Sequence, residues 1–223
     1  MTAVPIGLLD LLGWFALVGT AVFAVSGALQ GLRQEMDIVG VSFLAALTGV
    51  GGGTVRDVLL GAAPVGWVSD PTDLFICIAC ATGISLLNRQ LAGKRMDWLV
   101  YADAIGMGLF AVLGTAKAMA MGASPVLAVL FGAMSATFGG VIRDVVCQVR
   151  PLVFHKDIYV SAALLGGGVY VSAGAFFSAD VAALLGLAAA VGMRLAAVQY
   201  HWHLPFPRYA AAPADERGWG GRG

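Results

Sequence analysis

The chain has 223 residues, 59% hydrophobic and only 12% charged, with a formal net charge of zero at pH 7. Soluble domains run at about 45–50% apolar and about 25% charged residues. A water-soluble domain is therefore excluded, the balanced charge offers nothing to nucleic acid, and the length leaves room for a single membrane domain.

Apolar runs of about 20 residues cross a hydrocarbon layer of about 30 Å at 1.5 Å of rise per helical residue. The N-terminus, Met1 to Phe15, lacks the basic start of a signal peptide, so its hydrophobic run reads as the beginning of a retained helix. Hydropathy with Gly, Pro and charge punctuation predicts spans near 11–31, 38–60, 73–91, 98–119, 125–149, 158–177 and 181–200. Seven crossings place the two termini on opposite sides of the membrane.

Alternate loops carry Arg33, then Arg89, Lys94 and Arg95, then Arg150 and Lys156, and Arg208, Arg217 and Arg222 follow the last span. The opposite loops, near 61–72, 120–124 and 178–180, carry no basic residue. The positive-inside rule then puts the N-terminus outside and the C-terminus in the cytoplasm. Tyr200, Trp202 and His203 read as an interfacial belt closing a membrane domain over residues 1–208, and residues 209–223 read as a disordered cytoplasmic tail.

Cys77 and Cys80 have a C-x-x-C spacing, but the apolar neighbours from Phe75 to Ala81 make them buried structural thiols, and Cys147 stands alone. His155-Lys156-Asp157 and His201-Trp202-His203 fall at helix ends and read as interface residues. No metal site or cofactor is expected.

Sliding the chain on itself by 87 residues lays Gly52-Gly53-Thr54-Val55-Arg56-Asp57-Val58 on Gly139-Gly140-Val141-Ile142-Arg143-Asp144-Val145. Asp10 falls on Asp97, Gly19 on Gly106, Phe23 on Phe110, Gly27 on Gly114 and Pro64 on Pro151. Two three-helix units, about 10–91 and 97–177, explain these matches, with the seventh helix near 181–200 left over. Each unit crosses an odd number of times, so the second runs inverted to the first. Interrupted helices at matching positions of such repeats point to an ion or substrate path near the midplane.

The interrupted helices are the second and the fifth. Gly49, Gly51, Gly52 and Gly53 each favour leaving a helix by about 1 kcal/mol relative to Ala, which predicts a kink or an unwound turn there. Ser135, Thr137, Gly139 and Gly140 make the same weakness in the fifth span. Close helix packing is the competing reading of the glycines. It does not account for Arg56, Asp57, Arg143 and Asp144, since a charge at the bilayer centre costs about 2.5–3.5 kcal/mol and needs a partner or water.

Neighbouring helical positions point about 100° apart, so a bond between Arg56 and Asp57 is expected to be poorly formed. Two arrangements stay open: Arg56 beside Asp144 with Arg143 beside Asp57, or each arginine tying down freed carbonyls at the opposite break. Thr54 completes the polar lining of the second span. Asp103 and Lys117 in the fourth span are secondary lining candidates, with snorkelling the alternative for Lys117 and the expectation for Arg194.

Met36-Asp37, the run from Gly49 through Thr54-Val55-Arg56-Asp57 to Gly61, and its second copy from Phe138 to Val145 together resemble the prokaryotic branch of the trimeric intracellular cation channel family. That family overlaps bacterial proteins labelled as putative glycine transporters. The resemblance implies an all-α protomer of seven transmembrane helices, homotrimeric assembly in a bacterial or archaeal plasma membrane, and one potassium- and sodium-permeable pore per protomer. Kinked second and fifth helices would line that pore, with membrane lipid bound around it. Phe138 departs from the three-glycine pattern in the second copy. The basic cluster with which animal members hold an inositol lipid on the fifth helix is absent.

A secondary transporter of glycine or another small solute shares inverted repeats and broken helices, and it is the competing function. An enzyme is disfavoured, because no intramembrane-protease motif and no plausible Ser-His pair occurs among the spans.

Overall fold

The computed structural model describes residues 6–87, 90, 93, 95–154 and 158–202, and for residues 6–10 the backbone only. Arg89, Lys94, His155, Lys156, Asp157, His203, Arg208, Arg217, Arg222 and the tail 209–223 lie outside the described residues.

Eight α-helices are present among the described residues: α1 Ile6–Arg33, α2 Ile38–Leu60, α3 Gly66–Ser69, α4 Thr72–Leu86, α5 Arg95–Ala120, α6 Pro125–Val146, α7 Val160–Ala173 and α8 Ala179–Gln199. A 3₁₀ turn spans Leu152–Phe154. Local chemistry sets the ends. Asp37 caps α2 by accepting from the Gly40 amide at 2.7 Å, and Gly61 ends it in the left-handed region at φ 71°. Pro125 opens α6, and the Ser178 hydroxyl caps α8.

Among the described residues, five helices are long and apolar enough to cross a membrane: α1, α2, α5, α6 and α8. The helices α4 and α7, matching the spans expected over 73–91 and 158–177, have 15 and 14 residues. At 1.5 Å per residue each is only about 20 Å long. Ile158 and Tyr159 precede α7 as bends, and Gly174 to Phe176 follow it as turn.

α1 packs on α2, α4 and α5, while α5 packs on α6, α7 and α8, and α2 and α6 pack on each other. The buried core is built from Phe23, Met107, Phe110, Tyr159 and many alanines. Trp14, Val39, Phe43, Val58, Phe75, Val126 and Phe176 are turned outward. Lipid tails are as apolar as these side chains, so the helices are held together by close packing and buried polar contacts.

Part of that packing is reciprocal. Phe23 and Phe110 stack with ring centroids 5.2 Å apart and planes at 9°. A methyl group at Gly106 would lie 2.5 Å from the Phe23 ring, and one at Gly19 would lie 3.1 Å from the Phe110 ring. Residues 87 positions apart in the sequence thus make the same contact from opposite sides.

Candidate functional site

α2 and α6 cross where their glycines remove the side-chain barrier. A methyl group at Gly52 would overlap the Ser135 carbonyl oxygen, and one at Gly139 would lie 2.5 Å from the Thr48 carbonyl oxygen. Thr48 and Ser135 are themselves 87 positions apart, so this is a second reciprocal contact. At Gly51 the neighbour is the Ile142 side chain.

Both helices run unbroken as α-helix through these residues. The unwound turn expected at Gly49 to Gly53 and at Ser135 to Gly140 is therefore not present. The energy of close backbone approach across the crossing outweighs the weak helical preference of glycine. Thr137 satisfies a carbonyl of its own helix, donating to Ala133 at 2.9 Å.

The Arg-Asp pairs lie beyond the crossing, one at each end, about 20 Å apart along the helices at 1.5 Å per residue. Neither expected arrangement of the arginines is found, because each pairs with the aspartate that follows it. Arg56 holds the Asp57 Oδ1 through Nε at 2.9 Å and Nη2 at 2.8 Å, and it also donates to the Ser135 hydroxyl at 3.3 Å. Arg143 Nε donates to the Asp144 Oδ1 at 2.7 Å. The long arginine side chain curls back over the 100° step between neighbouring positions, so the short sequence separation does not prevent a well-formed bond.

The two ends differ in their remaining partners. Arg143 is fully buried and also donates to Asp103 at 2.7 Å and to Ser26. Asp103 in turn accepts from the Tyr159 hydroxyl at 2.6 Å, and Asp144 from the Leu152 amide at 3.1 Å. Gly140 leaves room for Asp103 and Tyr159 beside it. Arg194, expected to snorkel, is instead buried, with its guanidinium 4.9 Å above the Tyr159 ring and an amine donating to the Ile158 carbonyl at 3.1 Å. Partners inside the bundle hold it more favourably than an extended route to the interface.

The other end opens into a cavity of about 1050 Å³ whose wall includes Gly49, Gly53, Thr54, Arg56, Asp57 and Lys117. Lys117 does not snorkel, since its ammonium lies 2.8 Å from the Asp57 Oδ2. Thr54 donates to the Val50 carbonyl and accepts from the Trp67 indole at 2.9 Å. Of the residues singled out in the sequence, Gly51, Gly52, Ser135, Thr137 and Gly139 belong to the crossing, and Asp103, Gly140, Arg143 and Asp144 to the buried end.

Sequence reasoning missed Asp73, Thr20, Trp67, Ser26 and Tyr159. Asp73 and Tyr159 sit at the edges of spans and have no counterpart in the repeat, so only folding reveals their neighbours. Cys77 is buried and Cys80 half-buried, both as free thiols, and the Cys77 sulfur packs against Gly49.

A family model described as glycine transporter matches residues 13–89 and again residues 100–175. The UPF0126 inner membrane protein YadS of Escherichia coli K12 is 39% identical over 207 residues, covering 92% of this chain and 98% of its own. Among solved structures, the TRIC trimeric intracellular cation channel orthologue from Rhodobacter sphaeroides aligns at a TM-score of 0.82 with 38% identity, over 86% of this chain and 98% of that one. A prokaryotic TRIC channel aligns at a TM-score of 0.83 with 29% identity, over 87% and 99% of the two chains.

Proposed function

This chain belongs to the glycine transporter family of UPF0126 membrane proteins and shares the fold of prokaryotic TRIC channels, and on that premise we propose that it is a monovalent cation channel. Potassium or sodium ions pass through one pore in each protomer of a homotrimer. The observation that carries the reading is the pair of charged ends flanking the α2–α6 crossing, one of which lines a cavity large enough for hydrated ions.

In this reading the ion path enters by the cavity of Gly49, Gly53, Thr54, Arg56, Asp57 and Lys117. It passes the crossing at Gly51, Gly52, Ser135, Thr137 and Gly139, and it leaves by Gly140, Asp103, Arg143 and Asp144. The buried network around Arg143 closes the far end, and bending of α2 and α6 at their glycines opens it.

The membrane domain comprises seven spans, two inverted three-helix units plus α8, with α4 and α7 as the short third span of each unit. The double match of the family model, whose segments start 87 residues apart, supports that division. The protein sits in the inner membrane with its N-terminus outside, its C-terminus cytoplasmic and lipid bound around it.

A secondary transporter of glycine is the second reading. Its support is a cavity open at one end and lined by charges of both signs, as a zwitterion requires. Recording purified protein in a planar bilayer decides between them. Unitary current steps are expected for the channel, whereas saturable, gradient-driven glycine uptake without such steps marks the transporter.

A further inference from the structure

The cavity wall carries four charged side chains among the described residues: Arg56, Asp57, Asp73 and Lys117. Three of them form one cluster, because Asp57 is shared by Arg56 at 2.8 Å and Lys117 at 2.8 Å. One carboxylate against two cations leaves that cluster with a net charge of +1. Such a cluster by itself repels cations from the space that they would have to cross.

Asp73 cancels that excess. It stands in the first turn of α4, half-buried, and its Oδ1 accepts a hydrogen bond from the Thr20 hydroxyl of α1 at 3.2 Å. Among the described residues no lysine or arginine forms an ion pair with it, so its charge is compensated only by a hydroxyl dipole and by whatever enters the cavity. Asp70 nearby is engaged by the Thr72 amide and hydroxyl at 3.0 and 2.6 Å and is not part of the cavity wall.

We infer that Asp73 determines the charge selectivity of the cavity by bringing its net charge from +1 to zero and offering a permeant cation the one carboxylate that no basic side chain occupies. The inference rests on the channel reading and names a residue for it that lies outside both glycine motifs and has no matching carboxylate 87 positions on, where Val160 stands. Field lines in a cavity with low-dielectric walls are focused on the path, so a single charge acts on every ion that crosses.

The test is single-channel recording of Asp73→Asn beside the parent in symmetric KCl and in a KCl gradient. In 0.1 M salt, where the screening length is about 10 Å, Asp73→Asn should lower the cation conductance about two-fold or more and shift the reversal potential towards that of chloride. Near 1 M salt, where screening falls to about 3 Å, the two proteins should conduct alike.

To separate charge from folding, Asp73→Cys in a Cys80→Ser background is treated with a negatively charged and then, in separate protein, a positively charged methanethiosulfonate. The negative adduct should restore the conductance and the positive one should depress it further. Equal effects of the two adducts, or an unchanged Asp73→Asn, overturn the inference while leaving the channel reading intact. A parent protein that passes no unitary current defeats the channel reading and this inference together.

Discussion

Lys117, near the C-terminal end of α5, places its ammonium 2.8 Å from the Oδ2 of Asp57 on α2, tying α5 to the charged end of α2. At the equivalent place in the other half, Asp144 accepts from a backbone amide, that of Leu152. The two ends of the candidate path are therefore chemically unequal although the backbone contacts between them are reciprocal.

Removing the lysine tests that link. In the channel reading, Lys117→Met leaves the cavity with Arg56, Asp57 and Asp73 and a net charge of −1, so cation conductance in low salt should rise, opposite to the effect of neutralising Asp73. Its cost in stability should be small, below about 1 kcal/mol, because the lysine is more than a third exposed and exposed pairs contribute little. Conductance against salt and thermal unfolding in detergent check the two parts separately.

The glycines at the crossing should behave as packing residues. Gly52→Ala and Gly139→Ala each place a methyl group against a backbone carbonyl that cannot turn away, and overpacking of this kind costs about 1–3 kcal/mol. Gly168→Ala, at a position with open space around it, should melt like the parent. Equal melting temperatures for all three variants would remove the packing argument.

Arg143 should be the most costly single charge to lose. Taking one member from a buried, hydrogen-bonded ion pair destabilises by about 3–5 kcal/mol, and Arg143→Met would strand both Asp103 and Asp144. Asp103→Asn combined with Arg143→Met should be non-additive by about 0.5–3 kcal/mol, as for residues in contact. The pair Arg56→Met and Asp144→Asn should add, since those side chains sit at opposite ends of the crossing. Unfolding free energies from these two double-mutant cycles decide it, and strong coupling between Arg56 and Asp144 would contradict the pairing described above.

Topology is checked by accessibility. A reporter at the C-terminus should be active only on the cytoplasmic side, and a tag at the N-terminus should be reachable from outside in intact cells. The reverse pattern would overturn the orientation argued from Arg33, Arg95 and Arg150.

Some of this was legible in the residues alone because it depends on composition and spacing. Apolar run length and the positions of Asp37, Gly61 and Pro125 predict helices such as 38–60 to within a residue of what folds, since burying an unpaired backbone in lipid permits few alternatives. The offset of 87 residues likewise announces that Gly52 and Gly139, and Arg56 and Arg143, occupy matching places. What the spacing does not contain is distance between helices. The pairing of Arg56 with its own neighbour depends on how a flexible side chain curls in a crowded site. The buried network around Arg143 depends on Ser26 of α1, Asp103 of α5 and Tyr159, just before α7, arriving at one place. That Asp73 meets the Thr20 hydroxyl and, among the described residues, no basic side chain depends on how α4 packs against α1. These are outcomes of tertiary packing, in which a few ångströms decide whether a charge meets a partner, a hydroxyl or an open cavity.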